Sequence, residues 1–177
     1  PYAGKPDFRA PEALAGTLRD IGFDVLQTAN TYSIQNGMTG LSGTISALDA
    51  VGIDHVGTYA TQAERDASGG VLVKTVNGVR IAFIAFTKGV NNLTLPEGSE
   101  FAVDLLYTDY DSDYSKVAQD AIVQTVKNAA ATDADIVIAM LHWGSEYDNT
   151  LTDTQKKIET LLLENGVDVI LGSHSHV

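Results

Sequence analysis

Asp135-Ile136-Val137-Ile138-Ala139-Met140-Leu141-His142-Trp143-Gly144 is the stretch that decides the fold. Its six consecutive apolar residues, half of them β-branched, are bounded by a turn-forming Thr132-Asp133-Ala134-Asp135 run and a glycine. An apolar run of this length without alternation reads as a strand covered on both faces, the signature of a parallel sheet. Outward from it the pattern repeats. Upstream, residues 114–131 read as a long helix. Downstream, Thr152-x-x-Gln155 is a capping box that opens a helix to Glu164, and Asn165-Gly166 closes it. Val167-Asp168-Val169-Ile170-Leu171 then reads as a further buried strand.

The amino-terminal half follows the same rhythm. Pro11 to Ile21 is helical, with Leu14, Leu18 and Ile21 on one face. Phe23 to Thr28 is a short strand, residues 29–40 a polar loop, Leu41 to Val51 a helix and Ile53 to Val56 a strand. Thr61-x-x-Glu64 is another capping box. Val71 to Val76 and Val79 to Phe86 flank Asn77-Gly78, the preferred two-residue hairpin turn. Residues 88–112 show no clear element, a length at which loops are functional or mobile. Strands thus alternate with helices. The predicted fold class is α/β: a mixed sheet, largely parallel, with an antiparallel hairpin, in one domain covering residues 1–177.

Composition narrows the functions. Lys plus Arg is 11 and Asp plus Glu is 23, a net charge of −12, and no basic run exists locally. Nucleic-acid binding through a phosphate-seeking face is disfavoured. Cysteine is absent, which excludes disulfides, thiolate catalysis and cysteine-based metal sites. No apolar run approaches the ~20 residues that span a bilayer.

In open α/β sheets the chemistry lies beyond the carboxyl ends of the strands. Three of the four histidines fall there: His142 after one apolar strand, His174 and His176 after the next. In an extended segment residues two apart share a face, so His174 and His176 converge, and His142 joins them from a neighbouring strand end. Taken jointly, they point to a metal or a phosphate-type ligand. His55, inside a short strand, reads as structural. Trp143 walls the site, Glu146 is a substrate-orienting or surface carboxylate, and Asn30 lines the pocket or forms a turn. Asp109, Asp111 and Asp113 alternate like a calcium loop, but lack its glycine and its later glutamate.

The order of several motifs carries a resemblance. Phe8-Arg9-Ala10-Pro11-Glu12, Gly22-Phe23-Asp24-Val25, Ala29-Asn30, Val56-Gly57-Thr58-Tyr59, Leu141-His142-Trp143-Gly144 with Glu146-Tyr147, and Gly172 with His174-x-His176-Val177 occur in this order. The chain resembles, over its whole length, the CapA-type bacterial capsule-synthesis proteins associated with poly-γ-glutamate production. That resemblance implies the calcineurin-like metallophosphatase fold, mixed sheets flanked by helices, with a divalent metal (Zn, Mn or Fe) at the strand ends. By the resemblance His142, His174 and His176 match metal-ligand positions; Glu146 and Tyr32 are the candidate catalytic residues, and Asn30 and Trp143 the candidate substrate-binding residues. It further implies a metal-dependent hydrolase or transfer activity, an anionic surface polymer or its precursor as ligand, and membrane-bound synthase subunits as partners. The expected location is extracytoplasmic and membrane-anchored.

Two departures stand out. Thr31 and Tyr32 replace the Asn and His of the family's Asn-Asn-His run. Threonine is a poor metal ligand, and a phenol with a reference pKa of about 10 is no acid near neutrality. The alternative is therefore a non-catalytic binding or scaffold component with a degenerate site. Pro1 and Val177 read as cut ends, so residues 1–177 are expected to be the interior of a longer domain.

Overall fold

The computed structural model describes Gly4 and residues 8–177; Pro1 lies outside the described residues. Among the described residues there are two sheets. Strands β1 (Val25–Gln27) and β2 (Asp54–Val56) pair in parallel, Leu26 opposite His55. Strands β3 (Leu72–Val76), β4 (Val79–Thr87), β5 (Ile136–His142) and β6 (Val169–Ser173) form the larger sheet in that order. β3 and β4 are antiparallel, while β4, β5 and β6 run parallel. Helices α1 (Ala13–Asp20), α2 (Gly37–Val51), α3 (Gln62–Ser68), α4 (Gln119–Ala130) and α5 (Asp153–Glu164) fill the connections. This is the mixed α/β arrangement expected from the alternation of elements.

Local chemistry explains several of these elements. Asn77 (φ 51°) and Gly78 (φ 86°) supply the two positive φ values that a type I′ hairpin turn needs. Both capping boxes form: the hydroxyls of Thr61 and Thr152 accept from the backbone N–H of Glu64 and Gln155. Gly52, at φ 75°, ends α2 in the left-handed conformation.

Packing divides into layers. One face of the large sheet places Ile84, Phe86, Ala139 and Leu141 against Ile122 and Val126 of α4 and Ile158 and Leu162 of α5. Each of these fully buried side chains other than Ala139 contributes about 1.5–3 kcal/mol. The opposite face sets Ala85, Phe83 and Met140 against Leu41 and Ile45 of α2, Val56 of β2 and Ala29 just beyond β1. Gln27 ties the sheets together: its side-chain amide donates to the carbonyls of Ala29 (3.0 Å), Met140 (3.2 Å) and Phe86 (3.4 Å).

Four expectations need correction. β5 is not buried throughout: Ile136, Ile138 and Met140 are half-buried and alternate with buried Val137, Ala139 and Leu141. The helices cover one face fully, and the smaller sheet and α2 cover the other only in part. β6 is an edge strand, with Val169 38% and Leu171 48% exposed. A run of apolar residues gives no warning of that, because exposure depends on what lies beside the strand. The helix expected from Tyr114 begins at Gln119. Tyr114 sits at φ 51°, the Asp109 carboxylate accepts from the N–H groups of Ser115 and Lys116, and Tyr107 bridges to Val117. These contacts hold residues 109–116 in a tight loop that pre-empts a helical turn. Residues 88–112 are also ordered along the sheet, with Val103 bridged to Thr58, Leu105 bridged to Thr87, and Val90, Leu95 and Leu106 buried.

Candidate functional site

Strand register builds the site. Thr87 pairs with His142, and His142 with Ser173, so the last residues of β4, β5 and β6 form one row across the sheet. The row is extended by the N–H of Lys88 donating to the His142 carbonyl (2.9 Å) and the N–H of Trp143 donating to that of Ser173 (3.1 Å). Lys88, His142 and His174 thereby meet at one rim, the place where open sheets bind ligands.

The imidazoles do not meet in the way that alternation implies. β6 ends at Ser173, and His174 (φ 93°) and His176 (φ 59°) both have left-handed backbones. The segment is not extended there, so the rule for residues two apart does not apply. The closer pair is His142 with His174, on adjacent strand ends, with ring centroids 4.6 Å apart. His174 and His176 are separated by 6.4 Å, and His176 lies 5.7 Å from the Tyr147 ring.

Both nitrogens of His142 face hydroxyls. Thr31 Oγ1 lies 2.9 Å from Nε2, a contact that crosses from the small sheet to the large one. Ser173 Oγ lies 3.3 Å from Nδ1 and donates to the Leu141 carbonyl. With the Ser173 proton so directed, Nδ1–H is the donor to Ser173, and Nε2 accepts from Thr31. Burial pushes the His142 pKa down to about 4, assisted by the nearby positive charges of His174, Lys88 and His176. His174 is lowered by burial and by Lys88, with Glu146 opposing. Near neutral pH both rings are therefore the uncharged, electron-pair-bearing form that binds metals.

The remaining candidates fall into place unevenly. Asn30 is consumed by its own turn: its side-chain oxygen accepts from the Tyr32 N–H (2.8 Å) and its amide donates to the Thr28 carbonyl (3.1 Å). Tyr32 is 40% exposed and lies against Phe8, centroids 4.3 Å apart. Trp143 is buried in the main core, and a Cβ on Gly172 would come within 3.1 Å of its indole nitrogen. It also walls a cavity of about 260 Å³ with Gly144, Ser145, Gln155, Ser173 and Ser175, beside the imidazoles. Glu146 is exposed, and its charge acts on Lys88 and His174. His55 lies away from this rim, in β2, with its Nδ1 buried and unpartnered among the described residues.

Lys88 escaped the sequence reading, although a signal existed. The rule that picked out His142 and His174, inspection of the residues just beyond each strand, applies equally to the end of β4. Its ammonium donates to the Gly144 carbonyl (2.8 Å) and stands 5.0 Å from the centroid of the Tyr114 ring.

Whether these residues suit a metal is a question of donor number. Among the described residues no group of three or more His, Asp or Glu is placed to hold a metal ion. His142 and His174 are two imidazoles of the type that ligate divalent metals, but both His142 nitrogens face hydroxyls, and His176 is set off from His174 by 6.4 Å between ring centroids.

Relatives are informative at this point. The chain is 28% identical to the capsule biosynthesis protein CapA of Bacillus anthracis over 171 residues, 95% of this chain and 38% of that protein. It is 31% identical to the PGA biosynthesis protein CapA of Bacillus subtilis (strain 168) over 160 residues, 90% of this chain and 38% of that protein. The chain thus spans well under half the length of these relatives. The family model for bacterial capsule synthesis protein PGA_cap matches residues 1–177. With a match from end to end, this chain belongs to the bacterial capsule synthesis protein PGA_cap family.

Proposed function

We propose that the chain serves the biosynthesis of an anionic capsule polymer, poly-γ-glutamate or its precursor, through a metal-dependent hydrolase or transfer site at the ends of β5 and β6. The observation that carries this reading is the contact of two neutral imidazoles, His142 and His174, on adjacent strand ends. These two residues, with His176, would hold a zinc, manganese or iron ion. When bound, such an ion lowers the pKa of its water and polarises an oxygen of the substrate. Around it Ser173 orients His142 through Nδ1, Trp143 closes the floor against water, and exposed Glu146 orients substrate at the rim. Tyr32 would act as a hydrogen-bond donor to the ligand. Extracytoplasmic, membrane-anchored placement beside membrane-bound synthase subunits belongs to the same proposal. Among the described residues no helix is long and apolar enough to cross a membrane.

A second reading has its own observation. Thr31 covers Nε2 of His142, and Asn30 is locked in a turn. A site whose key nitrogen is satisfied by a hydroxyl suits a non-catalytic polymer-binding or scaffold component. Calorimetric titration with Zn²⁺ and Mn²⁺, combined with imidazole NMR, separates the two. Metal binding that shifts the His142 and His174 signals, and that disappears in the His142→Ala, His174→Ala double variant, supports the metal site. Absence of binding, or binding indifferent to those variants, removes it and leaves the scaffold.

A further inference from the structure

The geometry points to Lys88 as the anion-recognising residue of the strand-end site, binding a phosphate or carboxylate group of the ligand. The inference concerns the same site as the proposed function, but it does not require the metal.

Four observations converge. First, register fixes the position: Lys88 follows Thr87, the β4 partner of His142, and its N–H is bonded to the His142 carbonyl. Second, the side chain is held. Its ammonium donates to the Gly144 carbonyl at 2.8 Å and stands over the Tyr114 ring, so it cannot wander as a surface lysine does. Third, both fixed partners are uncharged. Among the described residues the ion pairs are Arg19–Asp24, Arg65–Asp104, Lys74–Asp54 and Lys156–Asp153, and none involves Lys88. One of three ammonium donors is spent on Gly144, and the others remain for a ligand. Fourth, Lys88 is the cation, besides the imidazoles themselves, whose field reaches both His142 and His174.

The energetics favour a functional reading over an incidental one. A half-buried ammonium loses solvation, and here no carboxylate is bonded to it in return. In a chain of net charge −12 such a partner would be easy to supply. Glu146, exposed at the rim, tempers the charge without bonding to it. Lys88 thus supplies the positive charge that draws an anion into an otherwise acidic protein, with the imidazoles beside it.

The test uses the protein freed of metal with a chelator, so that its outcome is independent of metal binding. Two probes are titrated, inorganic phosphate and a γ-linked glutamate oligomer, and dissociation constants are read from imidazole NMR shifts. At least one probe is expected to bind, more weakly as ionic strength rises. Lys88→Met is expected to weaken it about tenfold or more, as loss of one charged hydrogen bond implies, while Lys88→Arg stays within about threefold. Lys88→Gln, which keeps length and a donor but removes the charge, serves if the methionine variant does not fold. Preference for phosphate identifies a phosphoryl ligand, and preference for the oligomer identifies polymer carboxylates. Binding in Lys88→Met or Lys88→Gln within about twofold of the unaltered protein, or no binding of either probe, overturns the assignment.

Discussion

Replacing Arg65 by leucine tests how the rim is supported. Asp104 is 7% exposed, and its carboxylate accepts from Arg65 Nε (2.9 Å) and the Tyr59 hydroxyl (2.6 Å). Arg65 also reaches the Thr125 hydroxyl at 3.2 Å. Through its backbone, Asp104 accepts from the N–H of Thr87, the residue before Lys88, and donates to the Gly57 carbonyl. Burial drives the Asp104 pKa up to about 6, against the pull of Arg65 and Tyr59 toward the ionised form. Its folded pKa thus lies above the unfolded value of about 3.9. The stability tied to protonation is complete below that unfolded value and is lost as pH rises through about 6. A displacement of that size corresponds to roughly 3 kcal/mol at neutral pH. Arg65→Leu removes the main opposing charge, so the folded pKa climbs further. At pH 7.5 an unpaired buried carboxylate costs about 3–5 kcal/mol. At pH 5 the acid is protonated, and only hydrogen bonds worth about 1–2 kcal/mol are lost. Urea unfolding followed by the fluorescence of Trp143, the single tryptophan, measures both values. A loss that is equal at the two pH values, or below about 1 kcal/mol at pH 7.5, would refute the reasoning.

Two further outcomes are expected. Gly57→Ala places a methyl 2.6 Å from the Ala29 Cβ and 3.0 Å from the Ala85 Cβ at φ 95°. Strain and overpacking together should cost about 2–4 kcal/mol, read as a lowered thermal midpoint, and an unchanged midpoint contradicts the close approach of the two sheets. In NMR titration His142 should stay neutral to an apparent pKa of about 4, because burial disfavours the imidazolium. Since the unfolded ring takes up its proton first, the stability that depends on the neutral form is present above pH ~6.5 and is lost as pH falls toward 4. A midpoint near 6.5 would place that ring in open solvent.

What could be read without the structure is local. The hairpin at Asn77-Gly78 and the boxes at Thr61 and Thr152 depend on residues within a few positions of one another, and all form as the sequence implies. Burial of β6 depends on a neighbour, and nothing in Val169-Ile170-Leu171 reveals that the strand is an edge. Residues 114–118 have helical composition but lose to the Asp109 carboxylate, a competitor several residues away. His142, Trp143 and His174 do lie at or just beyond the ends of β5 and β6, as their place after apolar runs implies. The pairing of His142 with His174 rather than His174 with His176 requires the left-handed backbone after β6. Asn30 goes to a turn, the local alternative already open to it. Thr31, a poor metal ligand by its chemistry, is the hydroxyl that faces His142.

The bond between Thr31 and His142 also has a cost in chain entropy. Its partners are 111 residues apart, whereas the hairpin closes between Val76 and Val79. By loop-closure scaling that difference is worth about 3 kcal/mol, several times the net value of a hydrogen bond. The contact cannot gather its own partners. It exists because Gln27 and the packed faces have already brought the sheets together, so occupancy of Nε2 by Thr31 is a gauge of whether the whole molecule has closed. A peptide carrying only the histidine motifs would lack it.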